Sequence, residues 1–174
     1  PMGFNFAFEG SDNSSGCNIR MDDVRIGLIG EHQVRNAITA ILAVESMRAR
    51  GCVEIDEQQM RQGLMAARHM GRFEILNSDP YVVIDGAHNP QGLQAAVDAL
   101  VELRGTIFKD KRILTIFGCF ADKEHQKMSE ILKVGLRATG CGEVIATEPV
   151  SPRALPAEML KSELEDEGIA VTAI

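Results

Sequence analysis

Phe4, Phe6 and Phe8 alternate with small or polar residues, the period-two pattern of a strand with one buried face. Ser11-Asp12-Asn13-Ser14-Ser15-Gly16 reads as a turn. Short strands are predicted over Ile19–Met21 and Val24–Leu28, so the opening segment reads as hairpins rather than a complete domain. The period then changes. Val34, Ile38, Ile41, Val44 and Met47 recur at steps of three and four, which predicts a helix from Gln33 to about Arg50, stopped by Gly51. Asp56 is a good N-cap for a second helix through Met60, Leu64 and Ala67.

After Gly71 the pattern becomes regular. Phe73–Asn77 and Tyr81–Ile84 read as strands joined by a hairpin turn at Ser78-Asp79-Pro80. Leu93, Val97, Leu100 and Leu103 form one helical face; Met128, Ile131, Leu132 and Leu136 form another. Between them, Ile113–Phe117 is a continuous apolar run, which predicts a strand buried on both sides. Val144–Thr147 reads as a strand, and Pro156 suits the first turn of a helix carrying Leu160 and Leu164 and ended by Gly168. Ile169–Ile174 starts a further strand. This alternation predicts an α/β fold: a Rossmann-like, mostly parallel sheet with one antiparallel hairpin strand, preceded by a β-hairpin and two helices. Gly71 is the predicted boundary, dividing residues 1–70 from 71–174.

Composition narrows the function classes. The 174 residues carry a formal charge of −7, against the basic face that nucleic-acid binding needs. Aromatic residues are 5% with no Trp, which also disfavours a base-stacking platform. No apolar run reaches the ~20 residues of a membrane span. Cys17, Cys52, Cys119 and Cys141 are widely spaced, as expected of free thiols in a reducing cytoplasm. The chain opens on Pro1 without a secretory leader and closes as a strand begins, so it reads as an internal piece of a longer protein.

Ligands of open α/β sheets bind beyond the carboxyl ends of strands, which picks out several strings. Asp85-Gly86-Ala87-His88-Asn89-Pro90 presents a carboxylate and an imidazole beside a helix N-terminus that Asn89 can cap and Pro90 can start. Gly86 and Ala87 leave room for a close backbone approach. Gly118-Cys119-Phe120-Ala121-Asp122-Lys123 offers a glycine turn, a capping aspartate and a lysine. Pro149-Val150-Ser151-Pro152-Arg153 is a stiffened loop whose arginine can clamp a carboxylate or phosphate. Gly71-Arg72-Phe73-Glu74 places an arginine at the boundary, where a hinge residue can reach a phosphate. Each string also has a plain structural reading: turn stabilisers, a helix cap, solvated cations. Neither GxxxxGK[ST], nor GxGxxG after a strand, nor GxSxG occurs.

Taken in order, Leu28-Ile29-Gly30-Glu31-His32-Gln33-Val34-Arg35-Asn36-Ala37, Gly71-Arg72-Phe73-Glu74, Ile84 to Pro90, Phe117-Gly118 with Asp122-Lys123, and Pro152-Arg153-Ala154 resemble the C-terminal part of the folylpolyglutamate synthase / dihydrofolate synthase family, in the Mur ligase superfamily. The resemblance covers nearly the whole chain. It implies an N-terminal P-loop ATPase domain, of which residues 1–70 are the tail, and a C-terminal Rossmann-like ligase domain in residues 71–174, both closing over one cleft. It implies ATP with Mg²⁺, a folate substrate and L-glutamate, joined through an acyl phosphate. Asn36, Arg72 and Asp85 carry over as nucleotide contacts, toward the base, the terminal phosphates and the ribose. His88, Lys123 and Arg153 carry over as substrate-side groups, with Arg72, His88 and Lys123 in the catalytic set. The Mg²⁺ ligands fall mostly outside the chain, and no metal ligand is assigned within it. Met70 stands where the family often has Pro, and Glu124 where it usually has Asp. Alone, a chain lacking the P-loop is expected to be inactive.

Two other readings stay open. Asp85–His88 and Asp122–His125 both spell DxxH, a pattern from which a metal-dependent hydrolase could assemble a two-metal site. A non-catalytic nucleotide-binding module is the other. Whether dihydropteroate is accepted as well as folates is not encoded in any of these strings.

Overall fold

β1 (Phe4–Asp12) pairs antiparallel with β2 (Cys17–Ile26) in a computed structural model that describes residues 4–12 and 17–174. Ser11 and Asp12 of the predicted turn belong to β1; Asn13 to Gly16 lie outside the described residues. The two short strands expected after the turn are one strand with a bulge. Phe6 faces Val24 while Phe8 faces Met21, so β2 carries one extra residue there, and Asp23 takes a left-handed φ of 50°. The extra residue shifts the alternation. Ile19 and Met21 before it, and Val24 and Ile26 after it, are all buried.

The chain divides into two compact units, residues 1–86 and 87–174. In the first, α1 (Glu31–Ala49) and α2 (Glu57–Ala66) pack on the hairpin. Ile19, Met21, Val24, Ile41 and Met60 form the core, with Phe6, Phe8 and Leu64 against it. The buried line of α1 runs Gln33, Ala37, Ile41, rotated from the predicted stripe; Met47 is largely exposed. Gly51 (φ 69°) ends α1 as predicted, and Asp56 begins α2 with a full capping box to Gln59. Gly27 lets the chain pass α2 closely, since a Cβ there would fall 2.4 Å from the Met65 carbonyl oxygen. β3 (Glu74–Ser78) and β4 (Tyr81–Ile84) complete the unit as a separate antiparallel hairpin.

The second unit contains α3 (Pro90–Arg104), β5 (Leu114–Phe117), α4 (His125–Thr139), β6 (Glu143–Ala146), α5 (Ala157–Leu164) and β7 (Ala170–Ala173). The strands form a parallel sheet in the order β5-β6-β7. Asn89 caps α3 by accepting from Gly92 N at 2.8 Å, with Pro90 in the first turn, as the sequence predicts. α3 meets α4 at Gly135, where a Cβ would lie 2.4 Å from Val97. The core gathers Val97, Met128, Leu132, Leu136, Leu160 and Leu164 over one sheet face, carried by Val144, Ala146 and Val171.

Three expectations are corrected here. β5 is not buried on both sides: it is an edge strand, and Leu114 and Ile116 are 52% and 65% exposed on the face the core does not cover. α5 ends at Leu164 rather than at Gly168, because residues 165–169 form a separate turn closed by an Asp166–Ile169 bridge. Asp122 does not cap α4: the N-cap is Glu124, which makes no side-chain cap bond. No helix among the described residues is long and apolar enough to cross a membrane.

Candidate functional site

In the first unit, Arg72 lies between two residues in the left-handed region, Gly71 (φ 65°) and Phe73 (φ 43°). Glycine adopts this readily; a buried Phe does so only at a cost of about 1–3 kcal/mol. Several hydrogen bonds hold it. Phe73 N donates to Asp85 Oδ2 at 2.8 Å, and Gly71 N donates to Glu74 Oε2 at 2.9 Å. Gly86 N donates to the Gly71 carbonyl at 2.7 Å, the close backbone approach expected of the Asp85-Gly86 string. Glu74, at the start of β3, and Asp85, just past the end of β4, thus grip the loop from both sides, and Arg72 stands exposed on it. Beside it opens a cavity of about 590 Å³ whose walls combine Arg25, Arg68, His69 and Arg72 with Ile29 and Met65. Glu74 lines it as well, so three arginines against one carboxylate, with apolar side chains between, leave a cavity suited to an anionic ligand with an apolar part.

Asn36 is exposed on α1, and its Nδ2 donates to Gln33 Oε1 at 3.0 Å. Gln33 is buried and bonds the His32 ring at 3.1 Å, so the amide at 36 is oriented from below. Gly30, the N-cap at φ 108°, is needed there: a Cβ would fall 2.6 Å from that ring.

In the second unit, the loops after β5 and β6 are zipped together. Thr147 N donates to Phe117 O, Ala121 N to Arg153 O, and Leu155 N to Cys119 O, at 2.8–3.0 Å. Gly118 permits this, since a Cβ would sit 2.7 Å from the Thr147 carbonyl oxygen. Its role is therefore close approach of a neighbouring loop as well as a turn. Across the zipper, Arg153 Nη2 donates to Asp122 Oδ2 at 2.6 Å, and its guanidinium lies 4.8 Å over the Phe120 ring. Asp122 is thus spent on Arg153 rather than on capping. Lys123, half-buried, follows Asp122 two residues before α4. His88 is exposed one residue before the Asn89 cap.

The arrangement brings Arg72 and Asp85 together through the Phe73 N–H, and Lys123 and Arg153 together through the joined loops. Asn36 stands apart on α1. Among the described residues, no group of three or more His, Cys, Asp and Glu side chains converges as a metal cage. His125 of the second DxxH string instead donates from Nδ1 to Glu163 Oε1 at 2.7 Å. Ser129 Oγ donates to Glu163 Oε2 at 2.9 Å. Burial, and then the Glu163 charge, push the Cys119 thiol up to about 11.

The Mur ligase, glutamate ligase domain family matches residues 71–174. The chain belongs to the Mur ligase family. Over 173 residues it is 34% identical to a probable bifunctional folylpolyglutamate synthase/dihydropteroate synthase of Halobacterium salinarum, covering 96% of this chain and 19% of that protein. It is 34% identical over 133 residues to a dihydrofolate synthase/folylpolyglutamate synthase of Bacillus subtilis, covering 76% of this chain and 29% of that one. Among solved structures, Mycobacterium tuberculosis folylpolyglutamate synthase complexed with ADP superposes with a TM-score of 0.69 at 28% identity, covering 88% of this chain and 33% of that one. The chain therefore spans between a fifth and a third of the length of these relatives. The resemblance expected from the ordered strings, and the α/β fold with its parallel sheet and antiparallel hairpins, are both borne out.

For a Mur ligase chain, the sequence left several groups unremarked. Glu74 was in plain sight after Arg72, but its grip on Gly71 N depends on a left-handed turn that no periodicity reveals. Arg25 and Arg68 reach the cavity from distant elements. Glu163 and Ser129 carry no motif, and Glu163 meets His125 and Ser129 across 38 and 34 positions of sequence.

Proposed function

We propose that this chain forms the C-terminal part of an ATP-dependent ligase that joins L-glutamate to a folate, as a folylpolyglutamate synthase does and with dihydrofolate synthase activity as a further possibility of the same chemistry. The observation that carries the reading is the Arg72 loop: an arginine fixed by its backbone at a cavity with cationic walls, in a chain of the Mur ligase family. In this reading residues 1–70 belong to an ATP-binding domain and residues 71–174 are the ligase domain, and the protein works in the cytoplasm.

The γ-phosphoryl group of ATP passes to the folate-side carboxylate; the amine of glutamate then attacks the acyl phosphate and inorganic phosphate leaves. Arg72 offsets charge on the transferring phosphoryl group, where preorganised donors contribute most. Asp85 faces the ribose and, through the Phe73 N–H, ties that contact to the Arg72 loop. Asn36 meets the base, its amide oriented by Gln33. Lys123 draws in the glutamate carboxylates and offsets the tetrahedral adduct. Arg153 stays paired with Asp122, so its share is to shape the glutamate side rather than to deliver a full positive charge. His88, beside the α3 N-terminus, is placed for an anionic group. Mg²⁺ would neutralise the ATP phosphates. In this reading its ligands lie mostly in the rest of the protein, and no step here depends on it.

The test uses the complete protein supplied with ATP, a reduced folate and L-glutamate. Phosphate release should require both the folate and glutamate, and the folate should gain mass in glutamate increments. Release that persists without glutamate, or without folate, overturns the proposal. The chain of residues 1–174 alone is expected to release none.

A further inference from the structure

α4 starts beside Lys123, yet its N-cap Glu124 makes no side-chain cap bond. The helix start is held another way. His125 and Ser129, on one face of α4, both donate to the carboxylate of Glu163 on α5, at 2.7 and 2.9 Å. Both oxygens of Glu163 are taken. The site is nearly dry: Ser129 is 1% exposed, and the His125 and Glu163 side chains are 16% and 14% exposed. A carboxylate accepts only, so His125 donates from Nδ1. The same carboxylate lies near enough to Cys119 for its charge to act on that thiol. Glu163 therefore stands where α5 and the start of α4 meet.

The connection to Lys123 is short. His125 N donates to the Lys123 carbonyl at 2.7 Å, and Lys123 N donates to the Phe120 carbonyl at 3.1 Å. Fixing the His125 ring fixes its backbone, and with it the Lys123 peptide. A loop lysine otherwise has a flexible stem and a point charge with no preferred direction.

We infer that Glu163, through His125 and Ser129, is a positioning residue for Lys123, holding the loop after β5 in the geometry in which that lysine serves glutamate. The inference rests on the ligase reading for the use to which Lys123 is put, but not for the lock itself. A solvated surface pair would hold nothing; a dry carboxylate with both oxygens engaged does.

Two measurements on the complete protein test it. The first needs no activity. Amide hydrogen exchange across residues 121–125 should quicken at least about tenfold in Glu163→Ala and in His125→Ala, and return toward the parent rate in Glu163→Gln, which retains an oxygen to accept from His125. Unchanged exchange in the alanine variants overturns the lock whatever the enzyme does. The second is a double-mutant cycle on glutamate-dependent phosphate release. Glu163→Ala alone should lower kcat/KM for glutamate about tenfold and leave KM for ATP within about twofold; in a Lys123→Ala background it should add less than about twofold. Independent, multiplying effects show that Glu163 does not act through Lys123 and overturn the inference. If the parent protein shows no glutamate-dependent release, the ligase reading fails on its own, and the positioning role falls with it even where exchange shows the lock intact. If Glu163→Ala does not fold, Ser129→Ala, which removes one arm, carries the same comparisons.

Discussion

Arg72 and Arg153 are both exposed arginines on loops, but the molecule holds them by opposite means. Arg72 is held by its backbone: two left-handed neighbours, and carboxylates of Asp85 and Glu74 that accept from N–H groups on either side. Arg153 is held by its side chain, ion-paired to Asp122 and stacked over Phe120. The first device fixes where the arginine stands while leaving its charge to act outward. The second spends part of the charge to join two loops. Residue type alone therefore says little about whether a cation serves a ligand or the fold; what binds its main chain says more.

The largest effect that distinguishes the two should come from Arg72→Ala in the complete protein. It should lower kcat by about 2–4 kcal/mol in barrier terms with little change in KM for folate, as steady-state kinetics would read. An Arg153→Ala loss of equal size would erase the distinction. Next comes the backbone grip. Asp85→Ala removes the acceptor of Phe73 N and should raise KM for ATP by about 1.5–3 kcal/mol, or ten- to a hundredfold. An unchanged KM means the loop holds without it.

On the other side, Gly118→Ala drives a Cβ to 2.7 Å from the Thr147 carbonyl oxygen, a backbone atom that cannot rotate away. It should destabilise the protein by about 1–3 kcal/mol in denaturant unfolding, because the zipped loops must part. The smallest effect should be that of Asp122→Ala. The pair is roughly half exposed, so stability should change by less than about 1 kcal/mol. A larger loss would mean that the side-chain device bears as much as the backbone one.

Much of the fold was legible because it rests on periodicity and punctuation. Asp56, Asn89 and Gly51 act where their chemistry predicts, and the alternation of strands and helices after Gly71 survives intact. What failed depended on neighbours. Ile113–Phe117 is apolar except at Thr115, but apolarity does not reveal how many faces a sheet has covered, and Leu114 and Ile116 face outward. Asp122 looked like a cap, yet an arginine 31 positions away outcompeted the helix start for it. The candidate residues were found by their order along the chain. Their holding contacts were not, because left-handed turns and the Glu163 cluster leave no spacing to read.

The bulge in β2 makes the strand a two-phase object with a memory of chain length. Ile19 and Met21 face inward on one parity and Val24 and Ile26 on the other, with Asp22 and Asp23 absorbing the difference. Removing Asp23 alone would leave Ile19, Met21, Val24 and Ile26 in unbroken alternation on one face, with Arg20 and Asp22 still facing outward. A one-residue deletion in relatives should therefore fall at this point rather than elsewhere in β2, a constraint on length rather than on residue identity.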